Sequence, residues 1–153
     1  MAAQQDMMKK FEFLIGIWNL DYRVPESSFG KAERGTGSGT FRRALRDKYV
    51  YFDYQCHLPS GDGEAHAVFV WDEKAKVYRF WWFEDSGSYM TATCSFVRPG
   101  VLFLNWHDSV LTQTFSQENG DRVVLRMNQP DSTGKPMTIL KVIFTRKRLG
   151  KTP

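Results

Sequence analysis

Cysteine is scarce in this chain. There are two, Cys56 and Cys94, and neither belongs to a Cys-x-x-Cys pair. A disulfide framework and a cysteine-based metal site therefore lack their usual spacing, and two buried free thiols in a reducing cytoplasm are the expectation. Histidine is limited to His57, His66 and His107. His57 and His66 are placed to face each other across one predicted hairpin, but a metal site wants three or four ligands, so none is expected. No apolar run approaches the ~20 residues of a membrane helix; the strongest, Phe13–Trp18 and Ala67–Trp71, are strand-sized. The polar start, Met1–Asp6 followed by Lys9 and Lys10, has no apolar core of the secretory kind.

Catalytic signatures are missing too. A Gly-x-Ser-x-Gly elbow fails because Thr36, not glycine, stands two residues before Ser38. His107-Asp108-Ser109 holds the letters of a triad, but neighbours along a strand point to opposite faces. The glycine-rich stretch Gly35–Gly39 is followed by no helix that would receive a phosphate, so it reads as a crowded strand. No catalytic residue and no cofactor are expected on these grounds.

What is present is aromatic. Phe, Trp and Tyr make up 15% of 153 residues, and such side chains favour pleated, half-buried surfaces. The net charge of +4 is mildly basic. Arg42, Arg43, Arg46 and Lys48 cluster, as do Arg146, Lys147, Arg148 and Lys151. Single-strand binders combine such a groove with stacking aromatics, whereas the aromatics here share an inward face. No nucleic-acid partner is expected.

One helix is predicted, over Gln5–Leu14, where Met7, Phe11 and Leu14 recur at helical spacing, Asp6 sits near the N-terminal end of the dipole and Gly16 follows as a stop. Strands then recur about every ten residues. They are predicted at Gly16–Val24, Gly37–Leu45, Tyr49–Leu58, Ala65–Trp71, Val77–Phe83, Tyr89–Val97, Val101–His107, Val110–Ser116, Arg122–Met127 and Met137–Arg146. Turn chemistry separates them, as in Pro59–Gly63, Asp85–Ser88 and Arg98-Pro99-Gly100. No connection is long enough for a crossover helix, so pairing is antiparallel.

Alternation gives each hairpin one apolar face. Around Pro59–Gly63, symmetric pairing sets Phe52 against Trp71, Tyr54 against Phe69 and Cys56 against Ala67, with Asp53, Gln55, His57 and His66 behind. Around Pro99-Gly100, Phe96 meets Leu102, Cys94 meets Leu104 and Ala92 meets Trp106; around Asn119-Gly120, Phe115 meets Val123. About ten such strands in an open sheet would leave bare edges, so closure into a barrel is predicted.

Both ends of the chain then carry a resemblance. Phe13–Leu20 contains Gly16-x-Trp18, and Ile143–Arg146 ends in a basic residue. This resembles the pattern of the calycin superfamily, which includes lipocalins and fatty-acid-binding proteins. The resemblance implies that Gly16, Trp18 and Arg146 close the barrel, the cation stacking on the indole. The chain is also similar to a lipocalin-like family of bacterial proteins of unknown function, through Gly35–Gly39, Tyr78–Phe83 and Phe144-Thr145-Arg146. It departs from fatty-acid-binding proteins, because Pro25–Arg34 is too short for their two helices. It departs from secreted lipocalins in showing neither signal peptide nor disulfide. The absence of histidine from Met137–Arg146 counts against heme held as in heme-binding relatives.

The expectation is thus one all-β domain over 1–153: a lipocalin-like antiparallel barrel of about ten strands over 16–148, with a short N-terminal helix over 5–14. Its expected role is to hold a small apolar or amphipathic molecule, of fatty-acid type, against Phe52, Tyr54, Phe69, Trp71, Phe80 and Trp82. A pocket also wants a few placed polar groups, for which Tyr54, Arg79 and Arg126 are candidates. Three alternatives stay open: a packed interior in place of a cavity, a barrel enzyme using Tyr54 or His66 as acid or base, and an interaction protein forming a homodimer through an exposed strand or Tyr49 and Tyr51. The location expected is the cytoplasm.

Overall fold

Strands that alternate apolar and polar residues bury one face only by curling that face inward, and the ten strands here do so completely. The computed structural model describes residues 2–27 and 30–148; residues 149–153, Lys151 among them, and residues 1, 28 and 29 lie outside the description. The chain opens with α1 (Ala2–Met8) and a 3-10 helix (Lys9–Leu14). Ten strands follow: β1 (Gly16–Val24), β2 (Glu33–Ala44), β3 (Tyr49–Leu58), β4 (Gly61–Asp72), β5 (Val77–Glu84), β6 (Tyr89–Arg98), β7 (Val101–Trp106), β8 (Thr112–Asn119), β9 (Arg122–Pro130) and β10 (Pro136–Arg146). Each pairs antiparallel with its chain neighbours, and β1 pairs with β10 to close the barrel. This is the closed antiparallel barrel that the alternation predicts, with its strands in up-and-down order.

Up-and-down order places the starts of odd-numbered strands and the ends of even-numbered ones at one end of the barrel. The N-terminal helices plug that end. The predicted helix over 5–14 is corrected here: α1 starts earlier, and the chain tightens to 3-10 geometry from Lys9. The reason lies in the spacing of the buried side chains. Met8, Phe11 and Leu14 are all fully buried and recur every three residues, which is the 3-10 repeat. Asp6 consequently lies beyond the first turn of α1 and pairs with Lys9 at 3.1 Å. Phe11 enters the barrel and meets Phe69, Tyr78 and Phe96 at ring-centroid distances of 5.0, 5.4 and 5.1 Å. The Tyr78 hydroxyl donates to the Met7 carbonyl at 2.7 Å, and the Trp18 indole N–H donates to the Leu14 carbonyl at 2.7 Å.

Register follows prediction at one hairpin and slips at two others. β6 and β7 pair Ala92 with Trp106, Cys94 with Leu104 and Phe96 with Leu102. Between β3 and β4 the turn contracts to Pro59-Ser60, so Gly61 and Gly63 join the strand, and Phe52, Tyr54 and Cys56 face Ala67, Ala65 and Gly63 in place of the residues expected. His57 therefore lies opposite Asp62, and His66 opposite Asp53; the two histidines do not face each other. Between β8 and β9 an irregularity at Gln117/Asn119 moves Phe115 from Val123 to Leu125. Both slips are by an even number of residues, so every side chain keeps its predicted face. The glycines of β2 serve close packing: a Cβ at Gly39 would lie 2.7 Å from the Phe52 ring, and one at Gly37 2.3 Å from the Gln55 carbonyl oxygen.

Candidate functional site

The interior is packed at the plugged end and hollow toward the other. Phe41 stacks on Phe52 at 4.0 Å with the rings 8° from parallel, and Phe69, Phe115 and Phe144 close around Phe41. Beyond this layer lies a cavity of about 300 Å³. Phe52, Tyr54, Phe80, Trp82, Trp106 and Phe115 form its aromatic wall; Met90, Leu111, Met127, Leu140 and Val142 supply aliphatic surface.

Small side chains make the space. At the level of Phe52 and Tyr54, β4 presents only Ala67 and Ala65, and β6 presents Ala92 opposite Phe80. The structure thus divides the six side chains expected to hold a ligand. Phe52, Tyr54, Phe80 and Trp82 stand on the cavity wall. Phe69 and Trp71 share their face but sit two and four residues further along β4 than Ala67, a step of ~3.3 Å per residue toward the plugged end. There Phe69 is fully buried between Phe11 and Phe80. Trp71 packs on Tyr78 at 4.7 Å and donates its indole N–H to Glu73 at 2.6 Å.

Four neutral polar groups and one charged group border the cavity. The Tyr22 and Tyr54 rings lie 6.3 Å apart, and neither hydroxyl has a hydrogen-bond partner among the described residues. Burial drives both phenols far above their ordinary range; the nearby Glu84 and Asp85 carboxylates add to this for Tyr54. Both therefore remain neutral hydroxyls. Gln113 is 3% exposed, and its amide also lacks a partner among the described residues. The Trp106 indole N–H is buried and unpaired. A buried donor left without a partner costs ~1–3 kcal/mol, so the Trp106 N–H, the one such atom on this wall among the described residues, marks where a ligand atom or a water belongs. At the mouth, Glu84 accepts from the Trp82 indole at 3.4 Å and from the Ser86 hydroxyl at 3.0 Å.

The sequence pattern did not single out Tyr22, Trp106 and Gln113 as site residues, although it put Trp106 on an apolar face opposite Ala92. Their signal was available in the period of two: Tyr22 follows Trp18 and Leu20 on the inner face of β1, and Gln113 sits two residues before inward Phe115. Of the other polar candidates, Arg79 points outward to Asp72 at 2.7 Å. Arg126 alternates with inward Leu125 and Met127 and pairs across strands with Lys141 and Thr114.

The remaining candidates lie elsewhere. At the plugged end the Arg146 guanidinium stands 4.3 Å from the centre of the Trp18 ring and donates to the Ile15 carbonyl at 2.6 Å and the Gly120 carbonyl at 3.1 Å. Gly16 lies beneath it; a Cβ there would be 2.4 Å from the Arg146 Nη1. His66 is on the outer surface with Nδ1 2.5 Å from Asp53, and His107 Nδ1 lies 2.7 Å from the Thr91 hydroxyl. Both cysteines are free, and burial raises both thiols above their ordinary range.

No family profile and no curated protein sequence matches this chain. Solved structures do. Rv2717c from M. tuberculosis superposes with a TM-score of 0.65 at 11% identity, covering 92% of this chain and 97% of its own. The S-type phycobiliprotein lyase CPES from Guillardia theta gives 0.57 at 9% identity, covering 97% and 98%. A de novo designed fluorescence-activating β-barrel gives 0.43 at 19% identity, covering 89% and 95%. The first two likenesses show a shared barrel fold.

Proposed function

We propose that this protein is a binder of a small, largely apolar molecule held inside the barrel. The observation that carries this reading is the aromatic-walled cavity, with Tyr22, Tyr54 and Gln113 on its wall and the buried, unpaired Trp106 N–H among the described residues. Its volume of about 300 Å³ sits at the lower end of known ligand pockets. A cavity of ~150 Å³ is enough to hold benzene, so this one suits a two-ring compound or a medium-length chain. A ligand pocket combines apolar walls with a few placed polar groups, and that is the composition here. The free thiols support a reducing compartment, the cytoplasm. The Trp18–Arg146 stack supports kinship with the calycin superfamily.

Calorimetric titration with decanol tests the reading. About ten carbons at ~0.8 kcal/mol each give ~8 kcal/mol, so a Kd of about 1 µM or weaker is expected once association costs are met. Leu140→Trp grows into the cavity and Trp82→Arg places a charge on its wall; each should abolish binding while the circular dichroism of the barrel persists. Absence of binding to the wild-type protein, or full binding by both folded variants, overturns the proposal.

A further inference from the structure

Charge on the cavity wall is one-sided. Among the described residues that line the cavity there is no lysine, arginine or histidine; the sole ionisable group besides the two phenols is Glu84. Its side chain lies on the inward-facing row of β5, two residues after Trp82, and its cross-strand neighbour is Ala65. The adjoining carboxylate, Asp85, accepts from the Glu64 backbone N–H at 3.2 Å, and Glu64, Glu84 and Asp85 together line a surface groove beside the cavity. Glu84 is exposed at the rim, where the edge of the Trp82 indole reaches it, and further rings lie behind that indole. Tyr54 and Trp82 lie 5.2 Å apart, and Trp106 stands perpendicular to Trp82, at 89° and 6.2 Å. The Glu84 oxygens keep free acceptor sites beyond the bonds from Trp82 and Ser86.

An aromatic box beside a carboxylate is the arrangement that receives an alkylated ammonium, because ring faces carry negative potential. A fatty-acid carboxylate would find the opposite: a like charge at the mouth and no cation inside to offset its desolvation. We propose that the cavity selects an amphipathic organic cation, with its ammonium head between Tyr54, Trp82 and Glu84 and its apolar body against Phe80 and Phe115. This rests on the cavity being a binding site at all, and it departs from the fatty-acid ligand that the sequence suggests.

The test uses three probes of one chain length and different head charge: decyltrimethylammonium, decanol and decanoate, titrated below their micellar concentrations with tryptophan fluorescence and calorimetry. The ammonium should bind tightest and decanoate weakest, by about tenfold or more between them. Glu84→Gln should weaken the ammonium about fivefold, the scale of a partly solvated ion pair, and leave decanol unchanged. Trp82→Leu should lower the ammonium's advantage over decanol. If decanoate equals or exceeds the ammonium, or if Glu84→Gln leaves the ammonium unaffected, the cation proposal is overturned while decanol binding still upholds the cavity. Failure of all three probes overturns both.

Discussion

Arg146→Met probes how the barrel is shut at its plugged end. Methionine keeps most of the aliphatic stem over Trp18 and removes the guanidinium. Five interactions of the guanidinium are lost. The cation–π contact at 4.3 Å, with Arg146 about one quarter exposed, contributes ~1 kcal/mol. The short bond to the Ile15 carbonyl, at 2.6 Å, is charge-assisted and partly buried, which sets it at ~2 kcal/mol. The solvent-exposed bond to the Gly120 carbonyl at 3.1 Å, the long bond to Phe13 at 3.4 Å and the 3.8 Å ion pair with Asp121, which Arg148 also engages, add little. The sum is ~3 kcal/mol, or a fall in Tm of about 6–12 °C for a domain of this size. Urea unfolding measures it: the midpoint should drop with the slope m unchanged. A double-mutant cycle with Trp18→Leu should return a coupling of ~1 kcal/mol. A loss under ~1 kcal/mol, or zero coupling, would refute the assignment and leave the end held by Phe11 and its neighbours alone.

Other perturbations test other levels of the argument. Phe11→Ala empties the plug and should cost ~3–5 kcal/mol in chemical unfolding, since the side chain is fully buried against three rings. The raised phenols of Tyr22, Tyr54 and Tyr78, the last pushed up to about 12, make the folded state hold protons that the unfolded chain releases near pH ~10. Stability is therefore constant below pH ~10 on their account and falls as pH rises toward and past 12; Tyr78→Phe should flatten the first part of that fall in alkaline unfolding curves. Asp72 is held below the usual carboxylate range by the Ala75 and Lys74 N–H groups and by Arg79. Its stabilisation is present above pH ~4 and lost on acidification, so Asp72→Asn should lower stability at neutral pH and shrink the acid-induced loss. Cys56, half-buried, should react with a thiol reagent before fully enclosed Cys94, which mass mapping of the labelled peptide reads directly.

Side-chain direction was legible without a structure. Along each strand the period of two assigns a face, and a pairing error of two or four residues leaves that face intact; hence Phe52, Tyr54, Phe80 and Trp82 were placed inward although β3 and β4 pair differently from expectation. Closure followed from ten one-sided strands with no helix to cover an edge. Height along the barrel axis was not legible, because it depends on where each turn places its register. The contracted Pro59-Ser60 turn carries Phe69 and Trp71 into the packed end and leaves Ala65 and Ala67 beside the void. Nor does any local pattern bring Tyr22 of β1, Trp106 of β7 and Gln113 of β8 to one wall; they are joined through the curvature of a closed sheet. Sequence period decides which atoms leave water. Only the tertiary structure decides whether they fill the space they enclose, since that balance depends on the summed volumes of side chains drawn from all around the barrel.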